Sequence, residues 1–148
     1  MFFKKLLKLQ VVFFLLSCAH LPDREALRGF EELSASVSSL YTIMGKYDIR
    51  KSYIRENIRK FFCTEEDMDG FIFEKNHELS KFKIKDGRVL DFSIENIEEH
   101  NESTSVKIAY KVKEFFPLLK RVIHTTDEWI RTDDGWCLIF RKKIKLGG

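Results

Sequence analysis

The feature that most constrains the fold of this 148-residue chain is a change in apolar spacing near residue 81. From residue 24 to 79, apolar residues recur every three or four positions, as in amphipathic helices. From 82 to 112, apolar and polar residues mostly alternate, as in strands that bury one face. Helices followed by strands indicate an α+β domain, with N-terminal helices packed on one face of an antiparallel sheet.

Three helices are predicted, of which the first is long and runs from about residue 24 to 44. Asp48 is expected to cap a second helix that ends near Cys63. Thr64 begins a capping box, which predicts a third helix through about Leu79.

Turn residues then divide the rest of the chain into four to five strands. Asp86-Gly87 predicts a tight hairpin turn, and the polar run Asn101 to Thr104 predicts a second turn. The next strand runs to about Phe115, and another covers about 119 to 131. The cluster Thr132 to Gly135 predicts a last hairpin, from which a final strand returns.

The N-terminus has the composition of a signal peptide, with a basic start and a short apolar run over residues 1–17. Leu15-Leu16-Ser17-Cys18 resembles the lipobox of bacterial lipoproteins, which implies that Cys18 is acylated and anchors the protein to a membrane. We therefore expect a lipidated cysteine and tether over 18–23 and one domain over 24–145. The alternative is an ordinary secreted protein in which Cys18 has no such role.

The charge of the chain changes when the leader is set aside. Of 26 basic residues, Lys4, Lys5 and Lys8 belong to the leader, so the rest of the chain has as many bases as its 23 acids. This balance argues against nucleic acid as a partner. The lipoprotein resemblance, with non-acidic Ala19 after the cysteine, implies an outer membrane location facing the periplasm or the exterior.

Cys63 and Cys137 would lie in a compartment where disulfides persist, so a bridge between them is possible. Both cysteines also have apolar neighbours and could be small buried residues instead. Neither has the spacing of a metal ligand, and no motif calls for a metal or another cofactor.

The order of a long helix, two shorter helices and strands ending in the segment Trp129 to Trp136 resembles the nuclear transport factor 2-like (cystatin-like cone) superfamily. That resemblance implies a curved sheet wrapped around the long helix and a conical cavity. The superfamily contains isomerases, dehydratases and hydrolases as well as binding modules without activity. Aromatic residues that could line such a cavity are Tyr53, Tyr110, Trp129 and Trp136.

Few residues suggest catalysis. Asp127 and Glu128 are adjacent on one strand, so one of the two carboxylates must point toward the interior. His124 lies on the same face as Glu128 but too far along the strand for a direct hydrogen bond. These three residues are therefore weak catalytic candidates.

The segment from Phe115 to Leu119 is unusually apolar for a strand connection and is expected to be core, or a contact patch if it protrudes. Taken together, the sequence predicts an envelope lipoprotein that binds a small apolar ligand or an envelope protein without catalysis. The alternatives are a small isomerase or hydrolase that uses a cavity carboxylate, and a structural or assembly protein.

Overall fold

The computed structural model describes residues 24–116 and 119–141, and for residues 24–27 it describes the backbone alone. The predicted leader, Cys18 and the predicted tether therefore lie outside the described residues. The chain divides into two compact units, residues 1–31 and 32–148. The described part of the first unit, residues 24–31, is helical, and the contacts below are all within the second unit.

Within the described residues, three α-helices precede the sheet, as the spacing predicts. They are α1 (Arg24–Lys46), α2 (Ile54–Ile58) and α3 (Glu65–Ser80), with a short 3₁₀ turn over Arg59–Phe61. Thr64 caps α3 as expected, because its hydroxyl oxygen accepts the backbone N–H of Asp67 at 3.1 Å. The prediction that Asp48 caps α2 is wrong, since the helix begins only at Ile54.

Four antiparallel strands follow in the described part of the chain, and their order in the sheet is their order along the sequence. They are β1 (Ile84–Glu99), β2 (Thr104–Glu114), β3 (Lys120–Thr132) and β4 (Gly135–Ile139). The α+β class is confirmed, and the sheet has four strands, the lower of the two expected numbers. The predicted turn at 132–135 is present, and Gly135 has the positive φ of 118° that favours glycine there.

The predicted hairpin at Asp86-Gly87 is wrong, because β1 continues through both residues with an irregular register. Gly87 is needed for a different reason. Its N–H donates to the Asp48 carboxylate at 3.1 Å, and a Cβ at this position would lie only 2.2 Å from a carboxylate oxygen. The glycine therefore permits a close approach between distant parts of the chain.

The core lies between the helices and the inner face of the sheet. Strand β2 alternates as predicted, with Val106, Ile108, Tyr110 and Val112 buried. Opposite them, α1 contributes the following buried side chains: Leu33, Val37, Leu40, Tyr41 and Met44. The outer face of β2 is polar and includes exposed Lys107 and Lys111.

One covalent link and one backbone link join the segment before α3 to β4. Cys63 and Cys137 form a disulfide with their Cα atoms 5.0 Å apart. Beside it, Phe62 makes a parallel bridge to Leu138, and the Cys63 N–H donates to the Leu138 carbonyl at 3.1 Å. Of the two readings that the sequence leaves open for these cysteines, the structure contains the bridged pair.

The expectation that Phe115, Phe116 and Leu119 are core is wrong. All three are exposed at the connection between β2 and β3. Pro117 and Leu118 of the same segment lie outside the described residues.

Candidate functional site

A buried polar cluster connects the helices to the sheet and is centred on Lys75 of α3. The side chain of Lys75 is only 2% exposed. Its ammonium group donates to the Thr125 hydroxyl at 2.7 Å and lies 3.4 Å from Asp127 Oδ1 and 3.6 Å from Glu78 Oε2. The rings of Phe71 and Tyr110 lie beside it, with centroids 4.9 and 5.7 Å away. We call Lys75, Glu78, Asp127, Thr125, Tyr41 and Tyr110 the Lys75 cluster.

Two tyrosines complete the hydrogen bonding of its carboxylates. Tyr41 of α1 donates to Asp127 Oδ2 at 2.6 Å, and Tyr110 of β2 donates to Glu78 Oε2 at 2.6 Å. The Thr125 hydroxyl, in turn, donates to Glu78 Oε1 at 3.0 Å. Each carboxylate oxygen of the cluster therefore has a partner within it, as buried charges require.

Burial and the neighbouring carboxylates keep both tyrosines protonated. Burial raises the pKa of Tyr41 well above its ordinary value, and the charge and hydrogen bond of Asp127 raise it further. Burial likewise raises the pKa of Tyr110, with further contributions from the charge and hydrogen bond of Glu78. Both hydroxyls therefore remain hydrogen-bond donors throughout the ordinary pH range.

Lys75 is the residue that the sequence analysis missed. It occupies the apolar row of α3, between Phe71 and Leu79 at intervals of four residues, and both neighbours in that row are buried. A lysine in such a row is the signal that could have identified it. Its pairing with Asp127 could not be found in the same way, because the two residues are 52 positions apart in the chain.

A cleft of about 250 Å³ borders this cluster. We call it the Phe140 cleft. Its apolar residues come from α3 and the end of β4, and its carboxylates come from α3 and β3. The lining residues are Phe71, Glu74, Thr126, Asp127, Glu128, Leu138, Ile139, Phe140 and Arg141.

Gly70 and Asp67 of α3 position Phe140 at this cleft. The Phe140 N–H donates to Asp67 Oδ1 at 2.9 Å. A Cβ on Gly70 would lie 2.1 Å from the Phe140 ring, so the absence of a side chain lets the ring pack directly on the helix.

The carboxylate pair of β3 divides between the two faces of the strand. Asp127 points inward, is 5% exposed and forms part of both the Lys75 cluster and the cleft wall. Glu128 accepts hydrogen bonds from Ser103 and Ser105, each at 2.7 Å. His124 is exposed and pairs with Glu95 across the sheet at 2.7 Å, so the structure does not bring it to Asp127.

The four aromatic pocket candidates do not converge on one site. Tyr110 belongs to the Lys75 cluster, and Trp129 is fully buried in the core. Tyr53 is exposed and packs edge-on against Tyr47. Trp136 lines a separate shallow groove with Glu32, Ala35 and Ser36 of α1.

Within the described residues, no group of three or more histidine, cysteine or acidic side chains is arranged to hold a metal ion. None of the described helices is long and apolar enough to cross a membrane. Comparisons with protein-family models, with curated proteins and with solved structures gave no match to this chain.

Proposed function

We propose that this protein is an envelope lipoprotein, anchored through Cys18, whose folded domain binds a small ligand in the Phe140 cleft without changing it chemically. We also propose that the domain belongs to the nuclear transport factor 2-like superfamily. The order of helices and strands supports this membership. The Cys63–Cys137 disulfide supports a location outside the cytoplasm, because such bonds persist in oxidising compartments.

The binding proposal depends on one observation: the polar groups of the Lys75 cluster are hydrogen-bonded to each other, whereas the cleft beside it is open to a ligand. Within the cluster, the Asp127 carboxylate is occupied by Tyr41 on one oxygen and by Lys75 on the other. A general base must reach a proton of the substrate, and these partners compete for the same oxygens. The cleft, in contrast, offers apolar side chains for contact beside its charged ones.

The dimensions and lining of the cleft define the ligand. Its volume of about 250 Å³ is below the range of about 300–1,000 Å³ for drug-sized pockets. Phe71, Leu138 and Phe140 contribute apolar lining, while the exposed side chains of Glu74 and Arg141 contribute opposite charges. We therefore propose a small apolar ligand with one polar end.

Probe binding to the full chain tests this proposal. The chain would carry Cys18→Ser to prevent acylation, and the neutral fluorophore N-phenyl-1-naphthylamine would serve as the probe. Phe140→Ser is expected to weaken probe binding by about fivefold or more, because it removes an aromatic surface from the cleft. Phe73→Ser is the matched control, since Phe73 lies on the same helix as Phe71 but is 74% exposed and outside the cleft.

Because all variants share the same leader, any binding of probe to the leader cancels in the comparison. Equal affinity of the Phe140→Ser and Phe73→Ser chains would overturn the proposed ligand site.

The placement of Asp127 on the cleft wall favours one second candidate, a small hydrolase or isomerase. Hydrolysis of 4-nitrophenyl acetate separates the candidates. The binding proposal expects only the uncatalysed rate. Hydrolysis above that rate that is lost in Asp127→Asn but kept in Glu128→Gln would favour the enzyme.

A further inference from the structure

The connection between β2 and β3 presents large apolar side chains to solvent. Phe115 and Phe116 are 63% and 65% exposed, and Leu119 is 55% exposed. We call these three residues the hairpin tip. Single exposed apolar residues are common on protein surfaces, but two adjacent exposed rings with a leucine nearby form a patch of the kind that marks a contact surface.

Lysines surround the hairpin tip on two sides. Lys83 meets it from the chain between α3 and β1, since the Phe115 N–H donates to the Lys83 carbonyl at 3.0 Å, and the exposed Lys81 lies two residues earlier in the same segment. Lys113 and Lys120 flank it on the hairpin itself and lie directly opposite each other across β2 and β3.

The pairing of Lys113 with Lys120 has no structural benefit of its own. Like charges directly opposite on neighbouring strands destabilise a sheet. Asp86 faces Lys113 from β1, but its carboxylate is engaged by Arg88 at 2.6 Å. Cross-strand stabilisation of the sheet therefore does not account for two lysines at the base of the apolar tip.

Acidic residues near the hairpin tip do not neutralise these lysines. Glu114 is buried and pairs with Arg121 at 2.6 Å, which leaves that pair without net charge. Within the described part of the chain, none of the four lysines takes part in an ion pair. The tip is therefore apolar at its end and positively charged around its base.

We propose that the hairpin tip inserts into the headgroup region of a membrane rich in anionic lipid. The two phenylalanines would enter the boundary between headgroups and acyl chains, and the four lysines would contact lipid phosphates. Lysine is depleted in protein–protein interfaces, so this combination favours a lipid surface over a protein partner. The inference depends neither on acylation of Cys18 nor on ligand binding in the Phe140 cleft.

Vesicle flotation of the full chain tests the proposal. The chain would again carry Cys18→Ser, so that an acyl anchor does not contribute. We expect stronger binding to vesicles of phosphatidylcholine mixed with phosphatidylglycerol than to vesicles of phosphatidylcholine alone. Phe115→Ser combined with Phe116→Ser should lower the affinity for the anionic vesicles by about tenfold or more.

The charge contribution is tested separately. Lys113→Gln combined with Lys120→Gln should lower the affinity by about 25-fold, since one lysine near an anionic surface contributes about fivefold. Binding of the chain with its tip intact should also fall as salt is added, a measurement that needs no tip variant. Phe73→Ser is the control, because it removes an equally exposed ring from a different surface.

Three results would overturn the proposal. The first is equal binding to neutral and anionic vesicles, and the second is flotation of the tip variants like that of Phe73→Ser. The third is a tip-dependent change in sedimentation of the protein alone, without an effect on flotation, which would assign the patch to a second copy of the chain. All the substituted side chains in these variants lie near or at the surface, and unchanged fluorescence of buried Trp129 would verify folding.

Discussion

Replacing Lys75 by methionine should destabilise the protein strongly, because it removes the cation of a buried cluster and leaves its carboxylates in place. Methionine preserves most of the length and the apolar stem of the side chain. What it removes is the ammonium group that lies 3.4 Å from Asp127 and 3.6 Å from Glu78. The Thr125 hydroxyl loses its 2.7 Å contact at the same time.

The two distances set the size of the effect. With an effective dielectric constant of about 20, a unit charge pair at either distance attracts by about 5 kcal/mol. The cost of burying the ammonium group offsets several kcal/mol of this attraction, and breaking a buried pair on one side costs about 3–5 kcal/mol in the free energy of unfolding. We expect a loss in that range for Lys75→Met.

Urea unfolding followed by tryptophan fluorescence provides the assay, since Trp129 is fully buried in the folded state. With an m value of about 2 kcal/mol/M, the midpoint should fall by about 2 M. Lys107→Met is the control, because Lys107 is an exposed lysine on the outer face of β2, and it should change stability by less than about 0.5 kcal/mol.

A second variant separates charge from packing. Adding Asp127→Asn and Glu78→Gln to Lys75→Met leaves the cluster uncharged and should recover at least half of the lost stability. A loss below about 1 kcal/mol for Lys75→Met alone would refute the electrostatic reasoning. So would a triple variant that is less stable than the single one.

Two further predictions concern other parts of the domain. Replacing both Cys63 and Cys137 by serine should lower the free energy of unfolding by about 4 kcal/mol, because the disulfide joins residues 74 positions apart. The Tm in a circular dichroism melt should fall by about 15 °C, and a Tm within a few degrees of the parent would contradict this prediction. At Asp48, burial acts to raise the pKa, but hydrogen bonds from Arg50 and Gly87 outweigh it and lower the pKa to about 2. Because the folded pKa is depressed, this carboxylate stabilises the fold at pH values above about 4, and its contribution is lost as the pH falls through 2. Asp48→Asn should therefore lower the free energy of unfolding by about 1–2 kcal/mol at pH 7, allowing for solvent screening at the partly exposed Arg50, and by progressively less below pH 4. A difference in urea midpoint between variant and parent that is the same at pH 7 and below pH 4 would rule this out.

The sequence predicts best where local spacing and tertiary burial agree. Strand β2 was predictable because its alternation continues over its whole length and its inner residues are all buried. The start of α3 was predictable because Thr64 and Asp67 interact within one turn. In these segments, the information that determines the structure lies within a few residues.

Predictions from the sequence failed where a residue interacts with a partner that is distant in the chain. Asp86-Gly87 has the composition of a hairpin turn, yet Gly87 lies within β1. Its lack of a side chain leaves room for the carboxylate of Asp48, which is 39 residues earlier in the chain. The Lys75 cluster was missed for the same reason, since its two ends come from α3 and β3. The sequence did indicate that either Asp127 or Glu128 points inward, but only the register of β3 in the sheet identifies Asp127.

The Cys63–Cys137 disulfide and the Phe62–Leu138 bridge also protect part of one edge of the sheet. A bare sheet margin exposes unpaired backbone groups that can recruit a strand from another molecule. At β4, the segment around Phe62 occupies part of that margin and is covalently fixed there. At β1, no described strand pairs on the far side, and protection comes instead from the exposed carboxylates of that strand: Asp91, Glu95, Glu98 and Glu99. The domain thus resists strand addition by a covalent link over part of one edge and by repulsion between like charges at the other, so reduction of the disulfide should make the β4 edge more prone to aggregation.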